Sequence, residues 1–433
     1  MTPSAPTARE QELRSIAHRV LPGGGFGNVT TDVVLHSGKA GRVWDVSGNE
    51  YVDYLLGSGP MFIGHCHPEV TEAVQQQLTR GTTFFANNEY GILLAEAIVD
   101  AVPCADQVRF CSSGTEADAY AMRLVRAYRG REKILKFEGG YHGMSDWGLL
   151  SLAPKSLANF PQAVPDTPGI PRSVQNEVVV APYNDIDTAV RMIREYADEL
   201  AGVIAEPFQR LIPPVPGFLE ALREVTAELG IPLIFDEVVT GFRFAYGGAQ
   251  EHYGVVPDIC TMGKIIGGGF PLSAIAGKAE FMALFDRERA GENFMTQIGT
   301  LSGNPVAALA GLKTLEVLRQ PGQYERAYAT GRALMDGMTA MLDDAGIVGQ
   351  VLGHPVMFDV IFATGDLRDY RSVAKGDAAV QRRFNTVLRE HGIFKSDGKY
   401  YISTAHTEAD VKQTLDGFAA AVDAEKRLRK SAA

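Results

Sequence analysis

Two short apolar runs in this chain each end in a charged residue with glycine close behind. The first is Leu233-Ile-Phe-Asp-Glu-Val-Val-Thr-Gly-Phe-Arg243, and the second is Asp258-Ile-Cys-Thr-Met-Gly-Lys-Ile-Ile-Gly-Gly-Gly269. Each reads as a buried parallel strand that delivers one side chain to its carboxyl end, Asp236 from the first and Lys264 from the second. An ammonium is rarely buried without a partner, so packing alone explains Lys264 poorly. Pyridoxal phosphate accounts for both residues. It needs a lysine amine to hold its aldehyde as a Schiff base and a carboxylate to keep its pyridine nitrogen protonated. The two residues are 28 positions apart, which leaves room for a strand end, a crossover and a second strand, so they can flank one ring. The competing reading, a surface Asp and a surface Lys, requires surface strands, and both runs are too apolar for that.

Other segments fit elements that would position such a ring. Gln107-Val-Arg-Phe-Cys111 reads as a strand, and Ser112-Ser-Gly-Thr-Glu-Ala117 turns from it directly into a helix. Free backbone N–H groups and the positive end of the helix dipole make this a phosphate-binding geometry, with Ser113, Gly114 and Thr115 as the candidate cradle. Taken alone, this motif is better read as a plain helix cap, since Ser and Thr are favoured there regardless of ligand. Lys133-Ile-Leu-Lys-Phe137 reads as a strand that leads to Glu138-Gly-Gly-Tyr-His-Gly143, where Tyr141 could stack on a flat ring. A glycine-rich turn with an incidental tyrosine is the alternative there. Short apolar runs at 177–180, 202–206 and 233–235, with helical stretches at 186–200 and 218–229, complete an alternation of strands and helices. That alternation predicts a mostly parallel sheet covered on both faces, with binding sites beyond the carboxyl ends of the strands.

The 433 residues carry a formal net charge of −11. That balance suits a soluble protein and argues against a nucleic-acid partner, for which a basic face is expected. Cys66, Cys104, Cys111 and Cys260 have neither metal spacing nor the density of a disulfide scaffold, so a reducing compartment and a cytoplasmic location are expected. No run approaches the ~18 to 20 apolar residues of a membrane span, so no membrane partner is expected. His65 and His67 read as loop histidines without further ligands in sequence, and no metal is expected. Thr7 and Glu10 suggest a capping box at the first helix. Residues 42–46 and 50–55 suggest a hairpin. After Pro305 long helices alternate with a predicted three-strand set at 356–362, 393–395 and 399–403.

Taken in order, Ser113-Gly-Thr-Glu-Ala117, Tyr141-His-Gly143, Glu206-Pro207, Asp236-Glu-Val-Val-Thr-Gly-Phe-Arg243, Gly263-Lys-Ile-Ile-Gly-Gly-Gly269 and Gly299-Thr-Leu-Ser-Gly-Asn-Pro305 resemble the motifs of class III pyridoxal-phosphate aminotransferases. The nearest resemblance is to the glutamate-1-semialdehyde 2,1-aminomutase branch, which also shows segments like Tyr246-Gly-Gly-Ala-Gln250 and Ser403-Thr-Ala-His-Thr407. The resemblance implies an α/β fold of fold type I: a large cofactor domain with a mostly parallel seven-stranded sheet over residues 61–305, and a small α/β domain from both chain ends, 1–60 and 306–433. It also implies roles. Lys264 resembles the Schiff-base lysine, Asp236 the partner of the pyridine nitrogen, Val238 the residue packed under the ring, and Tyr141 the residue stacked above it. His142 and Glu206 would join the cofactor site, and Gln209 would contact the ring hydroxyl. Ser113, Gly114 and Thr115 match the phosphate turn, and Thr300 matches a residue that reaches the phosphate from a neighbouring subunit, which implies a homodimer. The aminomutases carry a substrate-binding arginine where this chain reads Gly27-Asn-Val-Thr-Thr31, and a gating glutamate where it has Gly398. The expected activity is therefore amine transfer between two molecules, an amino donor and a carbonyl acceptor, with Arg210 and Lys399 as candidate substrate cations. Intramolecular transfer by an aminomutase is the alternative. A protein that kept the fold only for binding would be marked by loss of Lys264, Asp236 or the phosphate turn, and all three are present.

Overall fold

The computed structural model describes residues 3–29 and 33–432. The Thr30 and Thr31 end of the segment compared with the aminomutase arginine lies outside the described residues. The chain forms two compact units, one from residues up to Pro68 with Gly322–Gly365 and the chain from Lys375 onward, the other from Glu69–Pro321 with Asp366–Ala374.

The second unit is built on a seven-stranded sheet. Its strands run Gln107–Cys111, Ser273–Gly277, Ile259–Met262, Leu233–Glu237, Leu200–Ala205, Lys133–Phe137 and Val178–Ala181 from edge to edge. Five of the seven form a continuous parallel set. Ser273–Gly277 is antiparallel to both of its neighbours, so the sheet is mixed. The apolar runs 200–205 and 233–237 are buried at every position, as expected of strands covered on both faces. The sequence reading missed Ser273-Ala-Ile-Ala-Gly277. Small residues there carry little strand propensity, and the strand is held by complete burial and by Ser273 Oγ donating to Ser113 O at 2.7 Å.

The helix Gly114–Arg129 starts with a complete capping box. Ser113 Oγ accepts from Glu116 N at 3.3 Å, and the Glu116 carboxylate accepts from Ser112 N and Ser113 N at 2.7 and 3.0 Å. Its apolar face, with Ala117, Ala121 and Val125, packs on the sheet. It comes close enough that a Cβ at Gly202 would lie 2.8 Å from Val125 Cγ2. The helix Pro305–Leu318 lies against the Lys264–Gly267 turn through glycine. A Cβ at Gly311 would collide with Ile266 O, and one at Gly268, where φ is +56°, would lie 2.5 Å from Ala310 C.

In the first unit a sheet of Leu35–Lys39, Arg42–Asp45, Glu50–Asp53 and Ile393–Phe394 contains the expected hairpin, with Val43 opposite Tyr51. The predicted three-strand set is rearranged. Ile393–Phe394 pairs parallel with Glu50–Asp53, and its place beside Met357–Ile361 is taken by Gln350–His354, with Tyr400–Tyr401 on the other side. Gln350-Val-Leu-Gly-His354 escaped notice because Gly353, at φ +138°, interrupts its pattern. The capping box at the first helix is half formed. Thr7 Oγ1 accepts from Glu10 N at 3.5 Å, while the buried Glu10 carboxylate turns to Arg14, Val34 N and Ser47. His65 is paired with Asp53 at 2.7 Å. Among the described residues no helix is long and apolar enough to cross a membrane.

The contact between Gly311 and the Lys264 turn yields a test. Gly311→Ala forces a methyl against a backbone carbonyl that cannot rotate away, an overpacking that costs roughly 1–3 kcal/mol. The thermal midpoint of the variant should fall. An unchanged midpoint would mean that the turn is not seated on this helix.

Candidate active site

The parallel register sets Asp236 opposite Thr261, so Asp236 and the turn carrying Lys264 leave neighbouring strands at the same end of the sheet. Asp236 is only 4 % exposed. Its carboxylate Oδ2 accepts from His142 Nδ1 at 2.7 Å, and Oδ1 accepts from Val238 N at 3.1 Å. A carboxylate this deep survives only with such donors.

Lys264 follows its strand with φ at +51°, a left-handed conformation that is costly for a residue with a Cβ and is found where a side chain must be aimed. Among the described residues its Nζ has no hydrogen bond to the protein. Burial pushes its amine below the usual lysine value, the Asp236 carboxylate opposes that, and the Arg243 guanidinium adds to it. The neutral, nucleophilic form is therefore more populated than on a surface lysine.

The remaining candidates converge from other strand ends. Tyr141 N donates to Glu206 Oε2 at 2.9 Å, which joins the ends of two strands. The Arg210 guanidinium lies over the Tyr141 ring, 5.2 Å from its centroid. Gln209 Nε2 donates to Glu138 O at 2.8 Å. Gly143, at φ +75°, lets its loop ride on the start of the helix Gly114–Arg129, since a Cβ there would lie 2.6 Å from Thr115 Cα. Thr115 Oγ1 accepts from Met144 N at 3.1 Å. Gly114 packs against Val238, with a Cβ there only 3.0 Å from Val238 Cγ1. The structure thus gathers Ser113, Gly114, Thr115, Tyr141, His142, Glu206, Gln209, Arg210, Asp236, Val238 and Lys264 in one unit. Thr300 is exposed, in the turn before Pro305. Lys399 belongs to the first unit, 5.7 Å from the Tyr401 ring centroid.

These residues fit pyridoxal phosphate. The cap leaves the Gly114 and Thr115 N–H groups, at a helix start, without an intrahelical acceptor. His142 Nε2 and Gln209 Oε1 are buried polar atoms without a hydrogen-bond partner. The donor set for an anion, the buried carboxylate and the depressed lysine are the features such a group requires.

Several contributors had no local sequence signal. Lys136 is buried and donates from Nζ to Gly148 O and Leu150 O at 2.9 and 2.7 Å, which pins the loop that follows Tyr141. Burial lowers its amine to about 8 against the pull of Asp166 and Glu206. Arg371 grips Glu138 through Nε and Nη2 at 2.6 and 2.9 Å, although the two are 233 positions apart. Asp118 was detectable as the one carboxylate on the apolar face of its helix.

The description "Aminotransferase class-III" matches residues 26–419. An omega-transaminase from Sphaerobacter thermophilus superposes with a TM-score of 0.91 at 38% identity, covering 96% of this chain and 98% of its own. A beta-phenylalanine aminotransferase from Variovorax paradoxus gives 0.87 at 29% identity, covering 97% and 95%. A glutamate-1-semialdehyde-aminomutase from Pseudomonas aeruginosa PAO1 gives 0.85 at 21% identity, covering 96% and 94%, and that likeness concerns the fold alone. A family match over nearly the whole chain, on a fold that gathers the expected residues at one sheet end, settles the assignment: the protein belongs to the pyridoxal-phosphate-dependent class III aminotransferases.

Proposed function

We propose that this enzyme moves an amino group from an amine or amino acid to a separate carbonyl acceptor, with Lys264 as the residue that holds the cofactor and moves the proton. The observation that carries this reading is the strained Lys264 in the turn that follows the strand beside the one carrying the buried Asp236. When bound, pyridoxal phosphate supplies a ring that accepts the electron pair released at the substrate carbon. Asp236 would hold the proton of the ring nitrogen, because a carboxylate at close range favours the charged form. His142 and the Val238 N–H group orient that carboxylate. Tyr141 and Val238 would enclose the ring faces, Glu206 and Gln209 would border its edge, and Ser113, Gly114 and Thr115 would hold the phosphate. Lys264 Nζ, held below the usual lysine value by burial, would hold the cofactor and, when free, would serve as general base and then acid for the proton of the substrate carbon. The Arg210 guanidinium beside Tyr141 is the candidate for a substrate carboxylate, and Lys399 is a second candidate.

Transfer between two molecules is favoured over transfer within one. A mutase must retain its deaminated intermediate, and at Gly398, where the aminomutases carry a gating side chain, this chain has none and a Cβ would meet open space. The omega-transaminase relative supports a donor whose amine need not be alpha to a carboxylate. Four free cysteines, three of them buried, support a reducing, cytoplasmic setting. The exposed Thr300 turn supports a homodimer with shared sites. Asn88 Nδ2 donates to Gly303 O at 2.7 Å, joining two segments that expose Phe84, Phe85, Ile298 and Leu301. Such an apolar surface suits a second copy.

Single turnover tests the reaction. With an amino donor and no acceptor, the enzyme should release one carbonyl product per site and stop. Repeated conversion of glutamate semialdehyde or diaminovalerate to aminolevulinate without a second substrate would establish the mutase instead.

The shared site has its own test. The Ile298→Asp/Leu301→Asp double variant should sediment as a monomer and bind cofactor roughly tenfold or more weakly, because part of the binding free energy depends on assembly. A monomer that keeps full cofactor affinity would contradict the shared site.

A further inference from the structure

Beside Asp236 lies a second carboxyl that the amine-transfer reading does not use. Asp118 sits on the helix Gly114–Arg129 and is 2 % exposed. Thr261, fully buried on the next strand, stands between the two acids. Its Oγ1 is 2.6 Å from Asp118 Oδ1 and 3.4 Å from Asp236 Oδ1. A hydroxyl has one proton to give, and the shorter contact assigns it to Asp118. The two acids are unequally supplied. Asp236 also receives His142 Nδ1–H and Val238 N–H, whereas Thr261 is the one donor to Asp118 among the described residues.

Two buried carboxyls on either side of one hydroxyl do not both stay ionised, and the charge settles on the one with more donors. That one is Asp236. Asp118 keeps the proton, and the neighbouring acceptor for it is Asp236.

We propose that Asp118 is a positioning residue, a neutral acid that donates its proton to Asp236 Oδ1 and so fixes the orientation and disperses the charge of the carboxylate that faces the ring nitrogen. The proposal rests on the assignment of Asp236 to that nitrogen. Burial first, then the Asp236 charge, hold the Asp118 carboxyl well above the usual carboxylate range, with Glu206 adding to this and the Thr261 hydroxyl opposing it. Lys136 and Lys264 are the cations that feel Asp118, and they act in the same direction as Thr261. The arrangement keeps a single negative charge on the pair, and it gives Asp236 a further donor.

The experiment is isotope-edited infrared spectroscopy of the holoenzyme labelled with 13C-aspartate, together with pH titration of the bound cofactor's absorbance. The wild type should show the carbonyl stretch of a buried protonated carboxyl at neutral pH, and Asp118→Asn should lack it while keeping the wild-type melting profile. Asp118→Ala should raise the midpoint of the cofactor titration by about one unit, since an undispersed Asp236 charge holds the ring proton more tightly. Asp118→Asn should restore it, because an amide still donates. No protonated carboxyl in the wild type, or the same band surviving in Asp118→Asn, would overturn the proposal. An Asp118→Ala titration equal to wild type would overturn the positioning role. The infrared band reports on Asp118 whether or not Asp236 faces the ring. Failure of the Asp236 assignment would show separately, as an Asp236→Asn cofactor titration unchanged from wild type.

Discussion

A carboxylate taken out of water at the end of a central strand must be repaid in hydrogen bonds. The strand Leu233–Glu237 runs in the middle of the sheet, so its last residues emerge where helices and loops on both faces exclude solvent. Asp236 is met there by a histidine from one loop and a backbone N–H from its own turn, while the Thr261 hydroxyl of the adjacent strand gives its proton to Asp118. Each of these donors is itself fixed. His142 sits between glycines in a loop whose far end is pinned by Lys136, and the Val238 N–H belongs to a turn that Gly114 packs against. Removing the negative charge would leave these donors without purpose, and removing the donors would leave a buried charge uncompensated.

The same end of the sheet shows how close packing converts sequence into aim. Lys264 adopts a left-handed backbone at a cost of order 1–3 kcal/mol, and that cost is tolerable because the turn is seated on the helix Pro305–Leu318 through Gly268 and Gly311. The turn at Gly114 is similarly confined. Gly114 backs onto Val238, and Gly143 rides on Thr115, so no side chain intrudes where the helix start presents its free N–H groups. Rigid elements therefore hold Asp236 and Lys264, and Arg210 and Thr300 lie on exposed loops.

Much of this was legible in the sequence. Asp236 and Lys264 announced themselves as charges ending apolar runs, and the alternation of strands and helices gave the sheet. What stayed hidden has physical causes. Ser273–Gly277 is a strand by burial and partner, with no propensity to signal it. Ile393–Phe394 joined a different sheet from the one expected, because a two-residue run carries too little pattern to choose a partner. Glu138 with Arg371, and Tyr141 with Glu206, meet over long sequence separations, and no local spacing encodes such a pair. Asp118 was readable as a carboxylate on an apolar helix face, a conflict between local pattern and fold of the kind that marks functional sites.

The account turns on Lys264 being the amine that carries the cofactor. Borohydride reduction of the holoenzyme followed by peptide mass mapping tests this directly. The account predicts a single pyridoxyl-modified peptide with the label on Lys264, at one equivalent per chain, and none in Lys264→Ala. A label on any other lysine, or holoenzyme with normal turnover after loss of Lys264, would contradict it.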